Sequence, residues 1–153
     1  MPVDLVSTSA FICERILREE DGALSAIRIV DVFYVPATEQ IAEDAVHNLI
    51  AKINAVNFHL VVVLRSKTEG QARLNLSFIN PAGDESPIKM HGVPEMLVFK
   101  SNFPGTKIPP SQTLNLHLGL PIRPLGTYLA LVRLDEQIVT SVPFTLLVHP
   151  SQS

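Results

Sequence analysis

The chain has no tryptophan, a single cysteine and seven glycines, and it carries charge on only 18% of its 153 residues. Each shortage removes a class of protein. One cysteine, Cys13, excludes an internal disulfide, so a core must hold by packing alone. Cys13 sits in the alternating run Phe11-Ile12-Cys13-Glu14-Arg15-Ile16, which reads it as a small buried apolar residue; a reactive thiol would want a basic, exposed setting. The glycines form no Gly-x-x-x-x-Gly-Lys phosphate loop and no Gly-x-Ser-x-Gly nucleophile elbow. No stretch reaches the roughly 18 consecutive apolar residues of a membrane-spanning helix. The start, Met1-Pro2-Val3-Asp4-Leu5, has neither the basic lead nor the apolar core of a secretion signal. A cytoplasmic protein without a membrane partner is expected.

Charge is scarce and nearly balanced, with 12 Lys and Arg against 15 Asp and Glu, a net of −3. Binding a nucleic-acid backbone requires a basic footprint, so nucleic acid is not an expected ligand. Charged residues fall below the roughly 25% usual for soluble domains, while the hydrophobic content of 46% is ordinary. A surface short of charge is easily covered by another chain, which points to self-association or a protein partner. The length suits one domain over residues 1–153 with a substantial core.

What the chain does have is period-two alternation. Residues 9–18 read as a strand and Glu19-Glu20-Asp21-Gly22 as a turn in which Gly22 supplies a positive φ. Residues 24–35, rich in β-branched and aromatic types, return as a second strand that Pro36 ends. Residues 38–53 differ: Ile41, Ala42, Ala45, Val46, Leu49, Ile50 and Ile53 recur at helical spacing behind a possible Thr38 cap. A helix is expected there, the alternative being a long inter-strand loop. Phe58, Leu60, Val62 and Leu64 alternate next. After Thr68-Glu69-Gly70 so do Ala72, Leu74, Leu76 and Phe78, the pattern of a second hairpin.

Residues 80–112 hold six of the twelve prolines and read as a connection, with a short edge strand at Met96–Phe99. Its apolar residues Met90, Val93, Met96 and Phe103 would suit either a docking loop or a segment that wraps the core. Leu114, Leu116, Leu118 and Leu120 mark a half-buried strand. Residues 127–148 mark a closing hairpin that turns at Asp135-Glu136-Gln137, with Pro143 placing an edge or a bulge in its return arm. Roughly seven or eight strands with regular turn signals predict an antiparallel β-sandwich carrying one helix.

Leu114-x-Leu116-x-Leu118, the loop to Pro124, and then Gly126-x-Tyr128-x-Ala130 resemble the corner of immunoglobulin and fibronectin type III domains. Pro124 stands where Asp is frequent in that series, and Ala130 where an immunoglobulin has Cys. The resemblance covers about 35 residues. It implies an immunoglobulin-like sandwich in which Gly126 and Tyr128 are structural, the tyrosine hydroxyl holding the corner. Over nearly the whole chain, the Phe11-Ile12-Cys13-Glu14 … Asp21-Gly22-x-x-Ser25-x-Ile27 hairpin and the Gly-x-Tyr closing hairpin are similar to a family of small bacterial all-β proteins of unknown function. That resemblance implies a bacterial source and brings no catalytic residue with it.

Chemistry-bearing residues are sparse. The five histidines, His47, His59, His91, His117 and His149, include no short-spaced pair. A pair built by folding would be His59 with His117, but their strands are expected in opposite sheets, with the rings outward on opposite sides. Glu19-Glu20-Asp21 and Glu43-Asp44 read as solvated turn and helix carboxylates. No cofactor, metal or catalytic site is expected, and the chain does not read as an enzyme. One candidate binding face remains: His59, Arg65, Lys67, Arg73 and Asn75 on the outer side of the second hairpin, whose basic groups could meet a carboxylate. The expected function is a non-catalytic protein-interaction or assembly module, with a small-ligand or carbohydrate-binding sandwich as the alternative.

Overall fold

Alternating residues make strands when one side of the chain can be buried, and among the described residues strands are the only regular elements. The structure, a computed structural model, describes residues 3–21, 23–35, 56–88, 94–101, 103–120 and 124–148. The helix expected over 38–53, the turn glycine Gly22, and Met90 and Val93 lie outside the described residues. In chain order the strands are β1 (Leu5–Arg18), β2 (Leu24–Ile29), β3 (Val32–Val35), β4 (Val56–Ser66), β5 (Gly70–Ile79), β6 (Glu85–Pro87), β7 (Met96–Phe99), β8 (Ser111–Leu120), β9 (Gly126–Leu134) and β10 (Gln137–Val148). These ten exceed the expected number because the run 24–35 divides into β2 and β3 and because the three-residue β6 adds a strand.

They form two sheets. The first has the order β2-β1-β4-β8 and the second β3-β10-β9-β5-β6, with β7 paired to the start of β5. Neighbours are antiparallel except β3, which runs parallel to β10. Between the sheets, Ile12, Phe58, Leu60, Val62 and the even-numbered leucines of β8 meet Leu74, Leu76, Phe78, Ala130, Val132 and Leu146. Where a tryptophan or disulfide is missing, rings fill the centre. Phe58 lies 5.3 Å from Phe144 and 5.4 Å from Phe33, and Tyr128 stacks on Phe144 at 5.4 Å. Such contacts add to the area that burial alone removes from water.

Two expected single elements are divided between the sheets. The run 24–35 breaks at Val30–Asp31: Val30 N donates to Ile12 O in the first sheet, and Asp31 O accepts from Thr145 N in the second. The stretch 58–79 is likewise no hairpin, since β4 and β5 lie in different sheets. Ser66, fully buried, holds the corner between them. Its hydroxyl donates to Thr68 O at 2.7 Å and accepts from Thr68 N at 3.2 Å.

The closing hairpin forms as expected. Asp135 and Glu136 both have positive φ, 48° and 70°, the backbone of a two-residue turn that matches strand twist. Asp135 also ties the turn to β5, accepting from Arg73 N at 2.9 Å through its carboxylate. Pro143 sits where β3, which begins opposite Thr145, is not alongside; the irregularity in β10 falls at Ile138–Thr140 instead. No helix among the described residues is long and apolar enough to cross a membrane.

Candidate functional site on the outer face and free edge of the first sheet

The division of β4 from β5 undoes the candidate face drawn from the sequence. His59 and Arg65 lie on the outer side of β4, and Arg73 and Asn75 on the outer side of β5, so the sandwich separates them. Lys67 follows the end of β4, with Nζ 3.7 Å from Asp4 Oδ2. Both of those groups are largely exposed, and such a pair contributes little. The five residues do not share one surface.

In their place the first sheet assembles another group. His59 and His117 are direct cross-strand partners on β4 and β8, not residues of opposite sheets. Their rings stack with centroids 4.8 Å apart and planes at 24°. Asn115, two residues along the same face of β8, brings Oδ1 within 2.9 Å of His59 Nδ1. Cys13 completes the lateral row on β1, opposite His59. It is fully buried, and burial pushes its thiol pKa up, which keeps the sulfur protonated and inert. His117 and Asn115 belong to the polar set of the alternation that the β8 leucines mark. What the sequence leaves open is that β8 pairs with β4.

Edges are where a sandwich can add a strand from another chain. At the sheet ends, β3 has four residues and β6 three, and β6 carries Glu85 and Pro87. The edge strand β2 has six, with Arg28 at a φ of 56° disturbing it. By contrast β8 has ten residues, no charge and no proline, and an unbroken register on β4 from Arg65 opposite Ser111 to Val56 opposite Leu120. Among the described residues no strand pairs with its other side. Near its start, Gln112 Nε2 donates to Val98 O at 2.5 Å.

Other polar groups are committed to structure. Tyr128, buried at the start of β9, donates from Oη to Pro124 O at 2.6 Å. Burial raises its phenol pKa, so the hydroxyl remains a donor. Gly126 has a φ of 128°, and a Cβ there would sit 2.9 Å from Pro81 Cβ, so both backbone and space require glycine. On the second sheet, Arg133 Nη1 bonds both Glu85 and Ser77, and Ser77 donates to Glu85 at 2.7 Å. Arg133 first, then Ser77, holds the Glu85 carboxyl below the usual carboxylate range. A hollow of about 490 Å³ opens between the end of β8 and the second sheet, lined by His117, Gly119, Phe78, Asn80, Ser86 and Tyr128 among others.

No family model and no curated protein matches the chain. Among solved structures, it is similar to the Pseudomonas fluorescens alkylpurine DNA glycosylase AlkC bound to DNA containing an abasic site analog, at 12% identity and a TM-score of 0.42 over 60% of this chain. The chain spans 26% of that protein's length. A likeness this slight carries no argument about ligand or activity.

Proposed function

We propose that the chain is a non-catalytic interaction module of immunoglobulin-like architecture that self-associates by pairing β8 with β8 of a second copy. The edge of β8 that no described strand pairs carries this reading: it is long, regular and uncharged, while the end strands β2, β3, β6 and β7 are short or interrupted and the stretch of β10 beyond β3 carries an irregularity and Pro143. Opposed residues of antiparallel strands share a face, so a two-fold axis normal to the sheet would pass at a single residue near Asn115 or Leu116. Leucines then continue the inner face and polar residues the outer one across both copies. The architecture is supported by the Tyr128–Pro124 bond, a corner-tyrosine hydroxyl bonded to backbone four residues upstream. A cytoplasmic setting goes with this reading, the lone cysteine being a buried free thiol.

Sedimentation equilibrium tests it. The protein should dimerise with rising concentration, and Ser111→Lys/Thr113→Lys, both on exposed positions of β8, should shift it to monomer. A wild-type chain that stays monomeric at several hundred micromolar would contradict the proposal. The alternative, a small-ligand sandwich, draws on the hollow beside His117 and Asn80. Thermal stabilisation by a sugar or metabolite, abolished by Asn80→Ala, would favour it.

A further inference from the structure

We propose that His59 and His117 form a two-imidazole site for a divalent transition metal of the copper(II) and zinc(II) class. Residues directly opposed in an antiparallel pair point to one face with Cβ atoms about 4.5–5.5 Å apart. Two imidazoles, each bonded at roughly 2.0–2.1 Å, span that separation through one ion. Imidazole nitrogen is a ligand suited to these metals.

Asn115 fixes which nitrogen is available. Its carbonyl oxygen can only accept, so in the neutral ring this bond places the His59 proton on Nδ1 and leaves the lone pair on Nε2. Histidines bound to metals are held by the same device: the second ring nitrogen donates to an oxygen that orients the ring. His117 is exposed, so rotation about its side-chain torsions exchanges the ring stack for a shared ion. Among the described residues no group of three or more His, Cys, Asp or Glu stands ready for a metal. Cys13, next in the row, is fully buried. With only described residues as donors, the remaining coordination positions fall to water, as in an exchangeable site rather than a closed structural centre. Both imidazoles come from one chain, so the proposal stands apart from β8 pairing.

Titration of copper(II) into metal-free protein, followed by calorimetry and electron paramagnetic resonance, tests the assignment. One ion per chain should bind, with hyperfine structure from two nitrogens. His59→Ala and His117→Ala should each weaken binding at least about tenfold, and Asn115→Ala by roughly tenfold through loss of ring orientation. Ser111→Lys/Thr113→Lys should leave the stoichiometry unchanged. Wild-type affinity within twofold of the His59→Ala/His117→Ala variant, which retains His47, His91 and His149, would overturn the proposal. Should a variant fail to fold, the wild-type spectrum decides alone, and fewer than two coordinated nitrogens overturns it.

Discussion

Tyr128 combines three roles within one side chain. Its ring stacks on Phe144, its hydroxyl closes on Pro124 O, and its backbone opens β9. Removing only the hydroxyl isolates the middle role. Tyr128→Phe should cost about 1 kcal/mol, the net value of one hydrogen bond. For a chain of this length that is a fall in Tm of roughly 2–4 °C by calorimetry; an unchanged Tm would mean the bond contributes nothing. The Glu85 carboxyl makes a different prediction at the same scale. Its folded pKa is depressed by Arg133 and Ser77, so its stabilisation is present above the ordinary carboxylate range and lost as pH falls through the folded value. Denaturation against pH should therefore show wild type and Glu85→Gln differing near neutrality and converging in acid. Curves that stay parallel throughout would rule out the linkage.

At the scale of elements, the β9–β10 turn holds a local conflict. Asp135 and Glu136 occupy the left-handed region, where a side chain costs roughly 1–2 kcal/mol. Asp135 offsets this with its bond to Arg73 N. Glu136→Gly should stabilise the protein by roughly 0.5–1 kcal/mol, after allowing for the extra freedom glycine brings to the unfolded chain. Urea unfolding should show a higher midpoint at constant slope; a lower midpoint would contradict the strain.

This hairpin was legible because its signals are local: alternation, a turn, alternation again. So were the strands of 56–66, 70–79, 96–99 and 111–120. Which strands neighbour one another was not. A period of two fixes which side of a strand is buried and is silent about the sheet it joins. Hence 24–35 looked continuous although the chain changes sheets at Val30–Asp31, and 58–79 looked like a hairpin although Ser66 turns a corner between sheets. The same blindness put His59 and His117 apart when β4 and β8 bring them together, and grouped Arg73 and Asn75 with residues on the other side of the sandwich.

At the scale of the whole molecule, the core needs neither disulfide nor tryptophan. Phe33, Phe58, Phe78 and Phe144 share its centre with Tyr128, joining strands of both sheets. Among the described residues, the first sheet ends at β8 with no strand on its other side. The outer side of β8 presents backbone donors and acceptors over ten residues with no charge to deter a second strand. The central claim is that this edge is closed by another copy. Amide hydrogen exchange on β8, measured across protein concentration, tests it most directly. Amides of β8 that face β4 are bonded already, so pairing should add protection only at alternate residues, those pointing away from β4, and only as concentration rises. Alternating, concentration-dependent protection along 113–119 is the predicted result. Exchange at those positions that is independent of concentration would contradict it.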